Sequence, residues 1–171
     1  KKLPYTCIDS PDDNLIHYYI NKDLTGPEQK LCLSYLLNAY DVIIPTRHAC
    51  LPNIEGEYCK NHDPIPWQKF IEVLKDYYPK EIDSIDYFKQ TKKMSYWNLF
   101  IMKWEIFDAY CSDLFYIVDS VYASIGQLND SGINKYKENR YPGYIAERFL
   151  CYWLYLHSIK YYETKAIWIK S

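Results

Sequence analysis

The stretch YWNLFIMKWEIFDAYCSDLFYIVD, residues 96–119, decides how the rest of the chain is read. Residues 96–102 form a short strand-like apolar run that turns directly into a long helical pattern. Phe107, Cys111, Leu114 and Val118 recur there at helical spacing and give the helix one apolar face. Asn98 is the amide inside the strand-like run. An amide in apolar surroundings is either hydrogen-bonded within the core or aimed at a ligand, and both readings stand. A strand and helix of this kind need a partner to pack against. The best-patterned candidate is the helix around Glu147 and Arg148, where Ile145, Ala146, Phe149, Leu150, Trp153 and Leu154 make a wide apolar face.

Upstream, the chain keeps the same rhythm. Thr25 and Glu28 form a T-x-x-E capping box with Pro27 in the first turn. The helix it opens presents Leu33, Leu36, Leu37 and Tyr40 on one side. Val42, Ile43 and Ile44, closed by Pro45, predict a short buried strand. A helix followed by a wholly apolar strand is the alternation of an α/β domain. Asp63 and Pro64 start another helix, with Trp67, Phe70, Ile71 and Leu74 as its core-facing stripe, and Pro79 ends it. Ile82, Ile85 and Phe88 mark a shorter helix, and residues 161–169 a last strand. Residues 3–8 and 15–20 are two further short strand candidates. The fold class expected is α/β, a small mixed sheet covered by three or four helices.

Two segments lack periodicity. Residues 46–63 read as a loop of unusual length, and such loops often carry function. This one holds Arg47, His48, Glu55, Glu57, His62 and Asp63. Residues 127–141 are polar and read as an exposed loop or flap closed by Pro142 and Gly143.

Composition narrows the class. Nearly half of the 171 residues are apolar and the formal net charge is −2. That balance lacks the basic excess of a nucleic-acid protein and the low hydrophobicity of a disordered tail. The outlying number is twenty tyrosines, beside five tryptophans and six phenylalanines. An aromatic ring with a polar tip both stacks and donates, which suits hydroxyl-rich partners such as sugars as well as ordinary core filling. The six cysteines form no C-x-x-C pair. They read as free thiols in a reducing compartment, with a cluster of Cys50, Cys59, His48 and His62 as the weaker metal alternative. No run reaches the ~20 apolar residues of a membrane-spanning helix. The chain begins at Lys1 without methionine, which reads as a fragment, a trimmed chain or a chain whose beginning is lost.

Glycine-rich phosphate loops, GxSxG elbows and HExxH pairs do not occur in the sequence. The sharper signal is Glu147-Arg148, placed by the pattern in the first turn of its helix, where the dipole favours an ionised carboxylate. A glutamate so placed can act as general base on a sugar hydroxyl, and Arg148 can clamp a phosphate or carboxylate. A structural Glu–Arg ion pair is the equal alternative.

Taken together, NLFIMKWEIFDAYCSDLF and GYIAERFLCYWL resemble the C-terminal half of a bacterial glycosyltransferase-like family from capsular polysaccharide and lipopolysaccharide gene clusters. Its domain is formally of unknown function and treated as a GT-A type nucleotide-sugar transferase. Asn98, Phe100, Ile101, Met102, Phe107, Glu147, Arg148 and Trp153 carry the match, and LLNAYDVIIP at 36–45 and residues 61–78 extend it. The match is good over 35–171 and weak over 1–34, within one domain spanning 1–171. His17-Tyr18-Tyr19-Ile20 stands where the family has an arginine-bearing HYRR motif, so most of the nucleotide-binding half is expected to be missing. The resemblance implies the acceptor-side part of a transferase that moves sugar from a nucleotide-sugar donor to a saccharide or lipid-linked acceptor. In that picture Glu147 is the catalytic base, Asn98, Arg148, His62, Asp63 and His17 bind substrate, and a divalent metal, Mn or Mg, bridges the donor diphosphate. No nucleic-acid partner is implied. The location implied is cytoplasmic, with peripheral association at the inner face of the membrane as an extension. A non-catalytic carbohydrate-binding or interaction module, a degenerate or truncated transferase, is the alternative.

Overall fold

A computed structural model of the chain describes residues 27–128 and 138–164. The strand candidates at 3–8 and 15–20, His17, Thr25 of the capping box, residues 129–137 of the 127–141 segment and residues 165–169 of the last strand candidate lie outside the described residues.

The architecture is α/β, with a small mixed sheet flanked by helices. In chain order the elements are α1 (Pro27–Ala39), β1 (Val42–Pro45), β2 (His48–Ala49), α2 (Ile54–Asn61), α3 (Pro64–Tyr77), α4 (Ile82–Gln90), β3 (Lys93–Met94), β4 (Ile101–Met102), α5 (Trp104–Ile125), a single 3₁₀ turn (Glu138–Arg140), α6 (Tyr141–Leu156) and β5 (Tyr161–Thr164). β1 is the middle strand, antiparallel to β4 and parallel to β5. β2 and β3 pair separately as an antiparallel ribbon.

β1 works as the sequence predicts because it is buried on both faces. Alternation sends Val42 and Ile44 into the main core and Ile43 to the opposite face. There Ile43 meets Leu36 of α1, with Leu33, Leu37, Tyr40 and Tyr162 around them. The main core fills the space between α3, α5 and α6. Asp63 caps α3 by accepting from the Ile65 N–H at 2.8 Å, and the predicted stripe of Trp67, Phe70, Ile71 and Leu74 is buried.

Three expectations are corrected. First, residues 54–61 are helix, not loop: Asn53 Oδ1 accepts from the Gly56 N–H at 2.7 Å, a capping bond the aperiodic apolar pattern did not advertise. Second, only Ile101–Met102 of the 96–102 run is strand. Trp97 and Asn98 both adopt left-handed backbone angles, φ 74° and 49°, which stop an extended strand. Third, the buried line of α5 is Tyr110, Ile117 and Val121. Phe107, Cys111, Leu114 and Val118 lie partly buried beside it. Tyr110 wins the central place because its ring stacks on Phe149 of α6 (6.0 Å between centroids, 18°) and meets the edge of Trp153 at 5.5 Å. α5 ends at Gly126, whose φ of 69° suits glycine and whose carbonyl accepts from the Tyr141 hydroxyl at 2.8 Å.

Candidate functional site

The site is built around a charge that cannot reach water. Arg148 is 2 % exposed and sits midway along α6. One guanidinium nitrogen, Nη2, donates to Glu57 Oε2 at 2.8 Å. The other, Nη1, donates to the Tyr144 carbonyl at 3.0 Å and lies 3.3 Å from Glu147 Oε2. The guanidinium also covers the Tyr58 ring at 5.0 Å. A buried arginine needs this many partners, because an unpaired interior charge is strongly unfavourable.

α2 supplies Glu57 and Tyr58, and so the helix hidden in the predicted loop provides half of the cluster. Asn61 of the same helix donates to Glu57 Oε1 at 2.8 Å and holds that carboxylate in place. Glu147 comes from α6, and its placement corrects the expectation: α6 begins at Tyr141, so Glu147 and Arg148 lie beyond the first turn. The helix dipole therefore does not favour an ionised carboxylate at Glu147. Burial instead pushes the Glu147 carboxyl above its ordinary value, against the pull of Arg148 and a hydrogen bond from the Trp97 backbone N–H.

The left-handed turn at Trp97 and Asn98 is what brings these groups together. It aims the Trp97 N–H at Glu147 and lets Asn98 Nδ2 donate to the Gly143 carbonyl at 3.3 Å. A bulky residue at positive φ is a strained conformation, and strain of this kind collects at sites that need a fixed geometry. Asn98 Oδ1 and Arg148 Nε are buried with no hydrogen-bond partner among the described residues. One acceptor and one donor are thus left open in the cluster.

His62 is buried next to it, its imidazole stacked on the Tyr144 ring at 4.1 Å and 25°. Asp63, by contrast, uses a carboxylate oxygen to cap α3. The structure thus gathers Glu147, Arg148, Asn98 and His62, sets Asp63 to a helix start, and His17 lies outside the described residues. Glu57 was visible only as one charged residue among several in an aperiodic segment, while Tyr58, Tyr144 and Trp97 gave no sequence signal. Cys50, whose thiol lies 3.2 Å from the Tyr96 hydroxyl, is held neutral by burial. Among the described residues, no group of three or more His, Cys, Asp or Glu could hold a metal ion. The described residues thus form no such cage for the Mn or Mg implied by resemblance.

Residues 17–158 match the family model described as Domain of unknown function (DUF4422). The chain belongs to the DUF4422 family. No curated protein matches this DUF4422 chain. Among solved structures, it is similar to the apo structure of the bifunctional glycosyltransferase WbbM, with a TM-score of 0.72 and 23 % identity over 94 % of this chain. The chain spans 28 % of that protein's length. At this identity the likeness is one of fold.

Proposed function

We propose that this chain forms the acceptor-side part of a glycosyltransferase, transferring a sugar from a nucleotide-sugar donor to a hydroxyl of a saccharide or lipid-linked acceptor in capsule or lipopolysaccharide synthesis. The observation that carries the reading is Glu147, a carboxyl 19 % exposed whose affinity for a proton is raised by burial and whose orientation is set by Arg148 and the Trp97 N–H. A general base works best when its pKa approaches the working pH, and burial moves Glu147 in that direction. Its role is to take the acceptor hydroxyl proton as that oxygen bonds to the anomeric carbon. The bond from the anomeric carbon to the phosphate oxygen breaks in the same event, and the nucleoside diphosphate leaves with that electron pair. The fold likeness to a bifunctional glycosyltransferase supports the same class. Donor, GT-A type, cytoplasmic location and peripheral membrane association are extensions of this proposal.

The test is Glu147→Gln, which preserves shape and removes the base. Transfer to a hydroxyl acceptor is expected to fall by about 10²–10⁴-fold, and full turnover in the variant would remove Glu147 from the mechanism. A second reading, a non-catalytic carbohydrate-binding module, draws on the stacked pair Tyr77 and Tyr116, 4.5 Å apart and exposed to solvent. Calorimetry separates the two: nucleotide binding favours the transferase, and saccharide binding without nucleotide favours the module.

A further inference from the structure

Arg148 is one cation held by two carboxylates, and the two do not hold it equally. Its side chain is 2 % exposed, against 17 % for Glu57 and 19 % for Glu147. A single guanidinium neutralises one carboxylate, so the other is a surplus negative charge where water screens poorly. A proton on one of the two carboxyls relieves that surplus. The hydrogen bonds around each decide which one takes it.

Glu57 is the better held as an anion. Its Oε2 accepts from Arg148 Nη2 at 2.8 Å and its Oε1 from Asn61 Nδ2 at 2.8 Å. Asn61 Nδ2 also donates to the Glu57 carbonyl at 3.0 Å, which ties that amide to its own helix, α2. Glu147 receives the remainder. Its Oε2 lies 3.3 Å from Arg148 Nη1, and the Tyr144 carbonyl accepts from the same nitrogen at 3.0 Å. The Trp97 backbone N–H is a further donor to Glu147. The charged groups facing this carboxyl from other elements are Glu57 of α2 and Arg140 of the 3₁₀ turn. Burial and Glu57 raise it, against the pull of Arg148, Arg140 and the Trp97 N–H. His62 stacks on Tyr144 beside the cluster, and Cys50 and Tyr96, both within reach of the Glu57 and Arg148 charges, are held neutral by burial.

We propose that Glu57 is a positioning residue for Glu147: by taking the shorter bond to Arg148, it leaves the Glu147 carboxyl able to receive a proton from an acceptor hydroxyl. The proposal rests on Glu147 as the base of the transfer described above. Beside an undivided arginine the same carboxylate would stay ionised and be a weak base. Glu57, 91 positions from Arg148, divides that charge.

The test is a carboxyl titration that needs no substrate. The 171-residue chain is labelled at the glutamate side-chain carboxyl carbon and followed by NMR, with the Glu147 signal assigned by its loss in Glu147→Gln. In Glu57→Gln the whole of Arg148 falls to Glu147, whose proton affinity is expected to drop by about tenfold or more. Glu57→Asp keeps the charge on α2 one methylene further back and is expected to give a smaller drop. It also carries the test should circular dichroism show that the amide variant does not fold. A Glu57 that served stability alone would lower the urea midpoint in these variants and leave the Glu147 titration where it was. That result overturns the proposal, as does a rise in proton affinity in either variant. Full turnover in Glu147→Gln would remove the base reading by a separate measurement, while a lowered titration would still show that Glu57 governs this carboxyl.

Discussion

Two carboxylate networks anchor α6, and they are built on opposite principles. At one, Asp113 of α5 accepts from the Tyr77 hydroxyl at 2.8 Å, the Tyr78 hydroxyl at 2.9 Å and Trp153 Nε1 at 2.7 Å. All three donors are neutral, and burial with the Asp113 bond pushes the Tyr78 phenol far above its ordinary range, so it stays a donor. His157 lies 3.7 Å away and adds charge only when protonated. The result ties α3, α5 and α6 with no partner missing. At the other network, Arg148 binds two carboxylates, one carboxyl is raised by burial, and two buried polar atoms are left open. The first network closes its hydrogen bonds with neutral donors; the second holds a buried cation between two carboxylates with one acceptor and one donor unmatched.

Removing each hub breaks the comparison most directly. Arg148→Ala leaves Glu57 and Glu147 facing each other without the cation and is expected to cost about 3–5 kcal/mol in urea unfolding. Asp113→Ala orphans the indole N–H of Trp153, itself 2 % exposed, and is expected to cost about 2–3 kcal/mol in the same measurement. A smaller loss at Arg148 than at Asp113 would reverse the assignment of which network is the more demanding. Tyr77→Phe removes one of Asp113's three donors at an exposed position and should cost less than about 1 kcal/mol.

The smallest stability effect is expected at Glu147, where the functional effect is largest. Glu147→Gln should change stability at neutral pH by no more than about 0.5 kcal/mol, and the pH dependence carries the sign. Because the folded Glu147 holds its proton more tightly than the unfolded chain, its contribution is fully present below the ordinary carboxylate pKa of about 4.3. It is lost as pH rises through the raised folded value. The variant, lacking that loss, should gain stability relative to the parent as pH rises from about 4 toward neutrality. A parent that gains relative to the variant over this interval would mean that Arg148 outweighs burial at this carboxyl.

Much of the frame was legible along the chain. Apolar runs and Pro punctuation located β1, and Asp63-Pro64 with its stripe located α3. The wide apolar face located α6, because those signals depend on neighbours within a turn or two. The site was legible in part. Glu147 and Arg148 stood out as an ionisable pair inside an apolar run, and Asn98 as an amide in another. Their partners did not, since Glu57 is 91 positions from Arg148 and joins it only through the packing of α2 against the rest.

What the sequence determined by itself is therefore the set of elements and the identity of the odd polar residues among them, through local periodicity and capping chemistry. Only the tertiary structure decided what those residues do. It turned Trp97 and Asn98 left-handed, set Glu147 past the first turn of its helix, and raised its carboxyl by burial where a helix start would have lowered it. Burial and long-range pairing are properties of the assembled fold, and the raised proton affinity of Glu147 follows from them.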